Sequence, residues 1–319
     1  MLIFFLSNSH AESQCLRYTG VCQSDWMSQL PNATKQRHID QIKLLGSHDS
    51  GAYKLDLNAS TQMEKTPILN LFKDLAEVDP LIFQIVSNLT LSQPLSVFEQ
   101  LEQGVRAFDF RILYNHTGGE FYLSHSYATV PLEPVLFQIR QFLLEHTGEV
   151  LVIQMEDDYE HRQQTSPFNS QAALIVEKAL GSFLIPVTPN QTLENLVKLN
   201  QRVLFGYTKV KEYWPDGQTV NQSLSIIETY LPELEKAGTG FLNLVFFTVT
   251  PNTALIFKNL IEDWTGANLP DSLLDWAARM NPRAIDFIKS NLQKLDGLNL
   301  ISVDAPSDAF VAEVISWNR

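Results

Sequence analysis

The stretch LEPVLFQIRQFLLEHTGEVLVIQM, residues 132–155, places a helix and a strand in one unit. Apolar residues recur at three- and four-residue spacings over 132–148, which predicts an amphipathic helix that stops at a glycine. The run VLVIQM at 150–155 is nearly continuously apolar, which is typical of a strand covered on both faces. A helix followed by such a strand indicates an α/β fold with a parallel sheet.

Similar runs recur along the chain and predict further strands. They are QIKLLG (41–46), VRAFDF (105–110), RVLFGY (202–207), FLNLVFFTV (241–249) and LNLISV (298–303). With helical segments between them, the 319 residues fit one barrel of the (β/α)₈ type. A doubly wound open sheet is the alternative, although no glycine-rich phosphate loop follows any strand.

The stretch 66–92 is longer than a barrel connection needs and is rich in apolar residues. It predicts two helices inserted after the first strand. Packing against the bottom of the barrel or against a neighbour is the ordinary interpretation, because apolar helical stripes usually belong to a core. A lipid-facing lid is the alternative.

Composition bounds the function. An apolar fraction of 45% can build a large core, and the net charge of −13 comes without any Lys/Arg cluster. A nucleic-acid binder needs basic groups to neutralise phosphates, so this class is excluded, as is long-range attraction to an anionic membrane. No stretch after the first residues offers the ~20 apolar residues of a membrane span, so we expect the mature protein to be soluble.

Several features predict a secreted glycoprotein. Residues 1–11, MLIFFLSNSHA, resemble a short signal peptide without a basic start. In the following segment, 12–37, Cys15 and Cys22 suit a small disulfide loop, with two free thiols as the alternative. Sequons exceed the about two that chance would give. They begin at Asn32, Asn58, Asn88, Asn115, Asn190 and Asn221.

Polar residues at the ends of predicted strands are the candidates for chemistry, because barrel enzymes build their sites there. These residues are His48, Asp49, Asp109, Arg111, His125, Glu156 and Asp304. Two histidines, one neutral and one protonated, can transfer protons when an internal hydroxyl attacks a phosphodiester, each with a pKa near 7. Each residue also has an ordinary structural interpretation: Arg111 as a bridge between core carboxylates, for example, or Asp304 as a helix N-cap.

Three ordered motifs resemble those of the X domain of phosphatidylinositol-specific phospholipase C. They are GSHDSGAY (46–53), GVRAFDFRI (104–112) and FYLSHSY (121–127), and EVLVIQMEDDYE (149–160) and NLISVDAP (299–306) extend the resemblance. It implies a distorted TIM-type barrel over 38–319. It also implies cleavage of phosphatidylinositol or a glycosyl-phosphatidylinositol to diacylglycerol and cyclic inositol phosphate, with transient contact to a membrane surface.

The resemblance further implies a role for each site residue. His48 would be the general base for the inositol 2-hydroxyl, and His125 the general acid for the diacylglycerol oxygen. Arg111 would bind the phosphate, Asp49 would support His125, and Asp304 would pair with His48.

Other residues are candidates for substrate binding. Asp109 would hold the arginine or a sugar hydroxyl, and the acidic run EDDYE, which begins at Glu156, disfavours a phosphorylated inositol. Tyr207 and Lys209, or Tyr213 and Trp214, could stack on a ring or touch a bilayer, although such residues often serve packing.

A metal-independent mechanism without cofactor is implied. The calcium-dependent members of the family carry Asn in place of Asp49 and an acidic residue in place of Arg111, whose guanidinium supplies fixed positive charge. Glu156 lies near a calcium-ligand position, but few acids beside an arginine suit Ca²⁺ poorly. The alternatives are a metal-dependent glycerophosphodiester or sphingolipid phosphodiesterase and a secreted binding module without activity.

Overall fold

The computed structural model describes residues 23–59, 67–157, 167–186, 191–206, 210–237, 240–263 and 269–319. These residues contain one sheet of nine strands. The strands are β1 Leu44–Ser47, β2 Ala107–Asn115, β3 Glu120–His125, β4 Tyr127–Pro131, β5 Leu151–Asp157, β6 Val203–Phe205, β7 Val210–Tyr213, β8 Leu242–Phe247 and β9 Leu300–Val303. Every predicted strand is therefore confirmed, with ends that shift by a few residues.

The parallel strands follow the spatial order β6-β5-β2-β1-β9-β8-β7. β3 and β4 extend the far half of β2 as antiparallel strands. Within the described residues no pairing joins β6 to β7, so the sheet is not closed. The predicted α/β fold with a TIM-type barrel is confirmed, but the barrel has an open seam between these two strands.

Helices cover the sheet between most of its strands. They are α1 Asn32–Lys35, α2 Pro67–Ala76, α3 Pro80–Thr90, α4 Val97–Gln103, α5 Leu132–Glu145, α6 Pro167–Leu180, α7 Leu193–Lys198, α8 Val220–Leu234, α9 Thr253–Asp263, α10 Leu273–Asn291 and α11 Asp308–Ser316. Among the described residues, no helix combines the length and apolarity needed to cross a bilayer.

The helix α5 ends earlier than the sequence predicts. It stops at Glu145, three residues before Gly148. A Cβ on Gly148 would lie 2.7 Å from the Cβ of Ser28. The glycine therefore permits close packing of the N-terminal segment and does not cap the helix.

The N-terminal segment is tied to the amino end of the barrel. Trp26 is buried in the main core, and its indole donates to the carbonyl of Gly104. Arg106, which precedes β2, pairs at 2.8 Å with Glu149, which precedes β5, and both side chains are fully buried. Arg106 also donates to the carbonyl of Ser24, so the pair anchors residues that lie outside the sheet.

The predicted helices after β1 are confirmed as α2 and α3. Val86 packs with Leu57 and Tyr127 in a small separate apolar cluster. The carbonyl of Thr90, the last residue of α3, accepts a hydrogen bond from His125 at the end of β3. The two helices therefore lie at the carboxyl ends of the strands and not at the bottom of the barrel. Several apolar side chains of the two helices and of the turn between them are exposed: Leu71, Leu75, Val78, Leu81 and Phe83.

Candidate active site

A sharp turn follows β1 and presents two side chains at the mouth of the barrel. The His48 amide donates to the carbonyl of Val303 at the end of β9, which continues the parallel ladder. Asp49 then adopts a left-handed conformation with φ of 43°, a strained state for a residue with a side chain. Gly51 is required by packing, because a Cβ there would lie 2.4 Å from Leu123 on β3.

His48 is surrounded by carboxylates. Its Nδ1 lies 2.8 Å from Asp304 Oδ1, and its Nε2 lies 3.1 Å from Asp49 Oδ2 and 3.9 Å from Asp109 Oδ2. Burial opposes protonation of the ring, but the charges of these carboxylates outweigh it and raise the pKa of His48 to about 9. The sequence predicts a value near 7, and the difference arises because the fold brings three acids, not one, to this ring.

His125 approaches the same carboxylate from β3. Its Nδ1 lies 2.9 Å from the carbonyl oxygen of Thr90, and since a carbonyl can only accept, Nδ1 carries a proton. Its Nε2 therefore faces the site, 3.7 Å from Asp49 Oδ2. The ring centroids of His125 and His48 are 6.4 Å apart. Asp49 thus lies between the two imidazoles and does not serve His125 alone.

Arg111 closes another side of the site. Its Nε lies 2.8 Å from Asp109 Oδ1 and its Nη2 3.1 Å from Asp109 Oδ2, which makes a bidentate pair. Nη1 lies 3.2 Å from Glu156 Oε2, and Nε lies 3.8 Å from Asp49 Oδ1. Although burial opposes these ionisations, the pairing raises the pKa of Arg111 and holds the pKa of Asp109 below its usual range.

Among the described residues, His48, Asp49 and Asp109 form a group whose possible ligand atoms all lie within 4.8 Å of one another, close enough to hold a metal ion. A divalent cation would need the carboxylate oxygens that already contact the Arg111 guanidinium. Hard cations such as Ca²⁺ take six to eight oxygen ligands, and this group offers few beside a fixed positive charge. The donor set therefore does not fit a calcium site.

β7 and the residue after it add two side chains to the site: Glu212, which the sequence analysis does not select, and Trp214, which it names without a place in the fold. Alternate residues of a strand point to opposite faces, so Glu212 and Trp214 share one side. Glu212 hydrogen-bonds to Glu156, and partial burial together with the charges of Glu156 and Asp109 raises the pKa of Glu212 to about 7. The Trp214 ring lies 5.2 Å from the His48 ring, packed at 4.9 Å against Phe246.

The segment VKEYW (210–214) does not alternate between polar and apolar residues, and β7 has only four residues, so periodicity could not identify this strand. Tyr213 is buried beside Tyr230 and has a packing role, as its ordinary interpretation predicts.

The sequence-selected residues thus fall into two groups. The structure brings together His48, Asp49, Asp109, Arg111, His125, Glu156 and Asp304. Tyr207, Lys209, Asn190, Cys15 and Cys22 lie outside the described residues, as does the acidic run after Asp157. Of the remaining sequon asparagines, Asn32, Asn58 and Asn221 are exposed and Asn88 and Asn115 are partly exposed.

Known proteins resemble this chain in both sequence and fold. Residues 84–204 match the family described as phosphatidylinositol-specific phospholipase C, X domain. PI-PLC X domain-containing protein 2 of Mus musculus is 25% identical over 89% of this chain and 84% of its own length. PI-PLC X domain-containing protein 1 of Homo sapiens is also 25% identical, over 98% of this chain and 96% of its own.

Solved structures of two bacterial proteins share the fold. The phosphatidylinositol-specific phospholipase C from Listeria monocytogenes superposes with a TM-score of 0.65 at 18% identity, covering 94% of this chain and 100% of that one. A phosphatidylinositol-specific phospholipase C of Staphylococcus aureus gives a TM-score of 0.63 at 17% identity, over 93% and 98% of the two chains. At these identities the likeness concerns the fold alone.

Proposed function

This chain belongs to the phosphatidylinositol-specific phospholipase C X-domain family, and we propose from this premise that it is an active, metal-independent phosphodiesterase. Its substrate would be phosphatidylinositol or a glycosyl-phosphatidylinositol. The observation that carries the proposal is the pair of imidazoles, 6.4 Å apart, on either side of the Asp49 carboxylate with Arg111 beside it. This arrangement suits transfer of a phosphodiester to an internal hydroxyl.

In the proposed reaction, neutral His48 takes the proton of the inositol 2-hydroxyl through Nε2. The hydroxyl oxygen forms a bond to phosphorus while the bond from phosphorus to the glycerol oxygen breaks. His125 gives the proton on Nε2 to that oxygen, which leaves as diacylglycerol, and the phosphate stays on the ring as a cyclic diester. The hydrogen bonds to Asp304 and to Thr90 fix which nitrogen of each ring faces the substrate.

Arg111 would stabilise the negative charge that develops on the phosphate oxygens. Its guanidinium is already held in place by Asp109, so it loses little freedom when a phosphate binds. A fixed arginine also supplies the positive charge that a metal would otherwise provide. The metal-using phosphodiesterase is therefore the weaker alternative.

The inositol ring would bind beside Glu156, Glu212 and Trp214. Carboxylate oxygens accept hydrogen bonds from sugar hydroxyls, and an indole offers an apolar face for a ring. Two acids at this position repel additional phosphate groups. We therefore propose an inositol without ring phosphates as the headgroup.

The proposal is tested by measuring diacylglycerol release from phosphatidylinositol in detergent micelles. We expect turnover in excess EDTA that is lost in His48→Ala and His125→Ala. His146→Ala is the matched control, because His146 also pairs with two acids but lies away from the site. Turnover that needs added Ca²⁺ or Mg²⁺ would indicate the metal-using alternative, and no turnover in any condition would indicate the inactive binding module.

We propose that the exposed apolar residues of α2, α3 and the turn between them meet the membrane surface. Val78 is 79% exposed and Leu81 is 50% exposed, and α3 ends at the carbonyl that binds His125. The charged residues of this region include more acids than bases, so the contact would be apolar and not electrostatic.

Vesicle sedimentation tests this contact. Val78→Asp and Leu81→Asp should weaken binding to phosphatidylcholine vesicles that contain phosphatidylinositol. Phe137→Asp, at a residue of α5 that is 67% exposed, is the matched control and should bind as the unaltered protein does. Equal binding by all the variants would contradict this assignment.

We also propose that the chain is secreted, with glycans on its sequons and a disulfide between Cys15 and Cys22. Expression in a secreting eukaryotic cell tests this proposal. Mature protein should appear in the medium, start near residue 12, and lose mass on treatment with an N-glycosidase. Retention of unglycosylated protein in the cell would contradict it.

A further inference from the structure

A buried segment, Thr90–Gln93, runs from the end of α3 past both imidazoles. We call this segment the strap. Thr90, Ser92 and Gln93 are each 1% exposed although their side chains are polar. Buried polar groups are costly unless they make hydrogen bonds, so the partners of the strap indicate why these residues are there.

The Gln93 side chain contacts the backbone beside each member of the His48–Asp304 pair. Its Nε2 donates to the carbonyl of His48 at 2.6 Å and makes a longer contact of 3.5 Å to the carbonyl of Val303, which immediately precedes Asp304. The backbone N–H of Gln93 donates to the carbonyl of Ala52 at 3.0 Å. One side chain therefore links the backbones that carry the base and its carboxylate.

Ser92 contacts the residues that directly follow His48 and Asp304 in the chain. Its carbonyl accepts from the amide of Ala305 at 3.0 Å, and its hydroxyl lies 3.4 Å from the carbonyl of Asp49. Asp49 and Ala305 both have left-handed backbones, with φ of 43° and 44°. Such strained residues persist only where surrounding contacts hold them, and the strap supplies contacts to both.

The strap also reaches the second imidazole. The carbonyl of Thr90 accepts from Nδ1 of His125 at 2.9 Å, two residues before Ser92. His48 and His125 come from different strands, yet one short piece of chain bonds to the ring of the second and to the backbone of the first. Their separation is therefore set by the strap as well as by the sheet.

We propose that Gln93 is a positioning residue that holds His48 against Asp304, and that the strap fixes the distance between the two imidazoles. This inference rests on the proposed function. Gln93 touches no reacting atom in this arrangement. It acts through the backbone of His48, whose orientation decides how the ring meets both its carboxylate and a substrate hydroxyl.

The test replaces Gln93 by Met, which has a similar shape and no donor. We expect kcat to fall about 10- to 100-fold with KM nearly unchanged, because a small displacement of a base lowers the rate of the chemical step. The pKa of His48, followed by NMR of its ring protons without substrate, should fall by about one unit as its contact with Asp304 loosens. The titratable groups that face His48 are Asp49, Asp109, Asp304 and His125, and the substitution removes none of them.

Asn243→Leu is the matched control. Asn243 is 2% exposed and its Nδ2 donates to the carbonyl of Gly297 at 2.8 Å, near the amino end of β8 and far from the site. The Asn243→Leu variant should be less stable than the unaltered protein, but its activity should keep the same pH profile and its His48 the same titration. Should Gln93→Met not fold, Gln93→Asn withdraws the amide by one methylene and should give a smaller change in the same direction.

The NMR titration separates this inference from the proposed function. If the protein shows no phospholipase activity but Gln93→Met still lowers the pKa of His48, the positioning role holds and the function fails. If the protein is active and Gln93→Met matches it in kcat, pH profile and titration of His48, the positioning role is wrong. A variant that loses stability without any change in these readouts would likewise overturn it.

Discussion

At the scale of single residues, the site depends on one carboxylate shared by two histidines. Asp49 Oδ2 lies 3.1 Å from Nε2 of His48 and 3.7 Å from Nε2 of His125. Burial raises the pKa of Asp49, while the two imidazoles oppose that shift. In the proposed mechanism, the charge of this carboxylate would stabilise a protonated imidazole on either side of it.

The pH profile of the reaction should report the acids around His48. The neutral form of a group with a pKa of about 9 is about 1% of the total at pH 7, so kcat/KM should rise with pH up to that value. Asp304→Asn removes one negative charge and should move this rising limb to lower pH by about one to two units. It should also lower the maximal rate about 10²- to 10⁴-fold, because the ring loses the partner that fixes its tautomer.

The measurement is kcat/KM between pH 5 and 10 for both proteins. The sign of the shift is the informative result, because loss of an acid can only disfavour the protonated ring. A rising limb that stays in place in Asp304→Asn would contradict the role assigned to this carboxylate.

Gly51 is required by space and not by conformation. Ala at this position would place its Cβ 2.4 Å from Leu123, and relief of such overpacking costs about 1–3 kcal/mol. We expect urea denaturation to give a free energy of unfolding lower by that amount in Gly51→Ala. Gly181→Ala meets no atom within 4 Å and is the control, with an expected change within about 0.5 kcal/mol.

At the scale of elements, the sequence predicts well what periodicity encodes. The apolar runs predict the strands, and the rule that sites form at carboxyl ends selects His48, Arg111 and Asp304 from a chain with many polar residues. The resemblance adds roles to positions, and the fold brings Asp304 to His48 across 256 residues of sequence. Strand positions and site residues can be predicted in this way because apolar runs and ordered motifs are both read from local sequence.

Periodicity does not encode the contacts that backbone atoms make. The carbonyl of Thr90 has no side-chain signal, and Gln93 is one polar residue among many in a connecting segment. Glu212 lies on a strand of four residues, too short for alternation to identify. The open seam could not be predicted either, because it depends on which strands fail to pair.

The residue that follows β7 supplies a testable contact. Trp214 is 37% exposed and faces His48, while its carbonyl is held by the hydroxyl of Tyr230. Trp214→Ala should raise KM for phosphatidylinositol about 5- to 10-fold, equivalent to about 1 kcal/mol of ring stacking, with a smaller effect on kcat. Phe241→Ala, at an exposed aromatic residue before β8, should leave both constants unchanged in the same assay.

At the scale of the whole molecule, two contacts hold the N-terminal segment against the barrel: its backbone bonds to the Arg106–Glu149 ion pair, and Asp25 pairs with His146. Arg106 and Glu149 are fully buried, and burial raises the pKa of Glu149 while Arg106 opposes that rise. Arg106→Met leaves a buried acid without its partner and should lower the free energy of unfolding by about 3–5 kcal/mol. Arg106→Met combined with Glu149→Leu should recover most of that loss in urea denaturation, and equal loss in both would contradict this account.

His146 gives the second contact a dependence on pH. It lies 3.0 Å from both Asp25 and Glu102, and although burial opposes protonation, these acids raise its pKa. A histidine whose pKa is raised by folding stabilises the folded state. This stabilisation is fully present at pH values below the pKa of the unfolded state, about 6.5, and it is lost as the pH rises through the pKa of the folded state. His146→Gln should therefore destabilise the protein at pH 5.5 and have less effect at pH 9, and equal effects at both values would contradict this.

The most direct test of the proposed mechanism is the identity of its first phosphorus product. Phosphorus NMR of phosphatidylinositol micelles, incubated with the protein in excess EDTA, distinguishes a cyclic diester from a linear phosphate. Attack by the inositol hydroxyl predicts that the cyclic inositol phosphate appears first and that any linear phosphate follows from it. A linear phosphate that forms first, or a cyclic product that forms only after a divalent metal is added, would contradict the metal-independent, two-histidine mechanism.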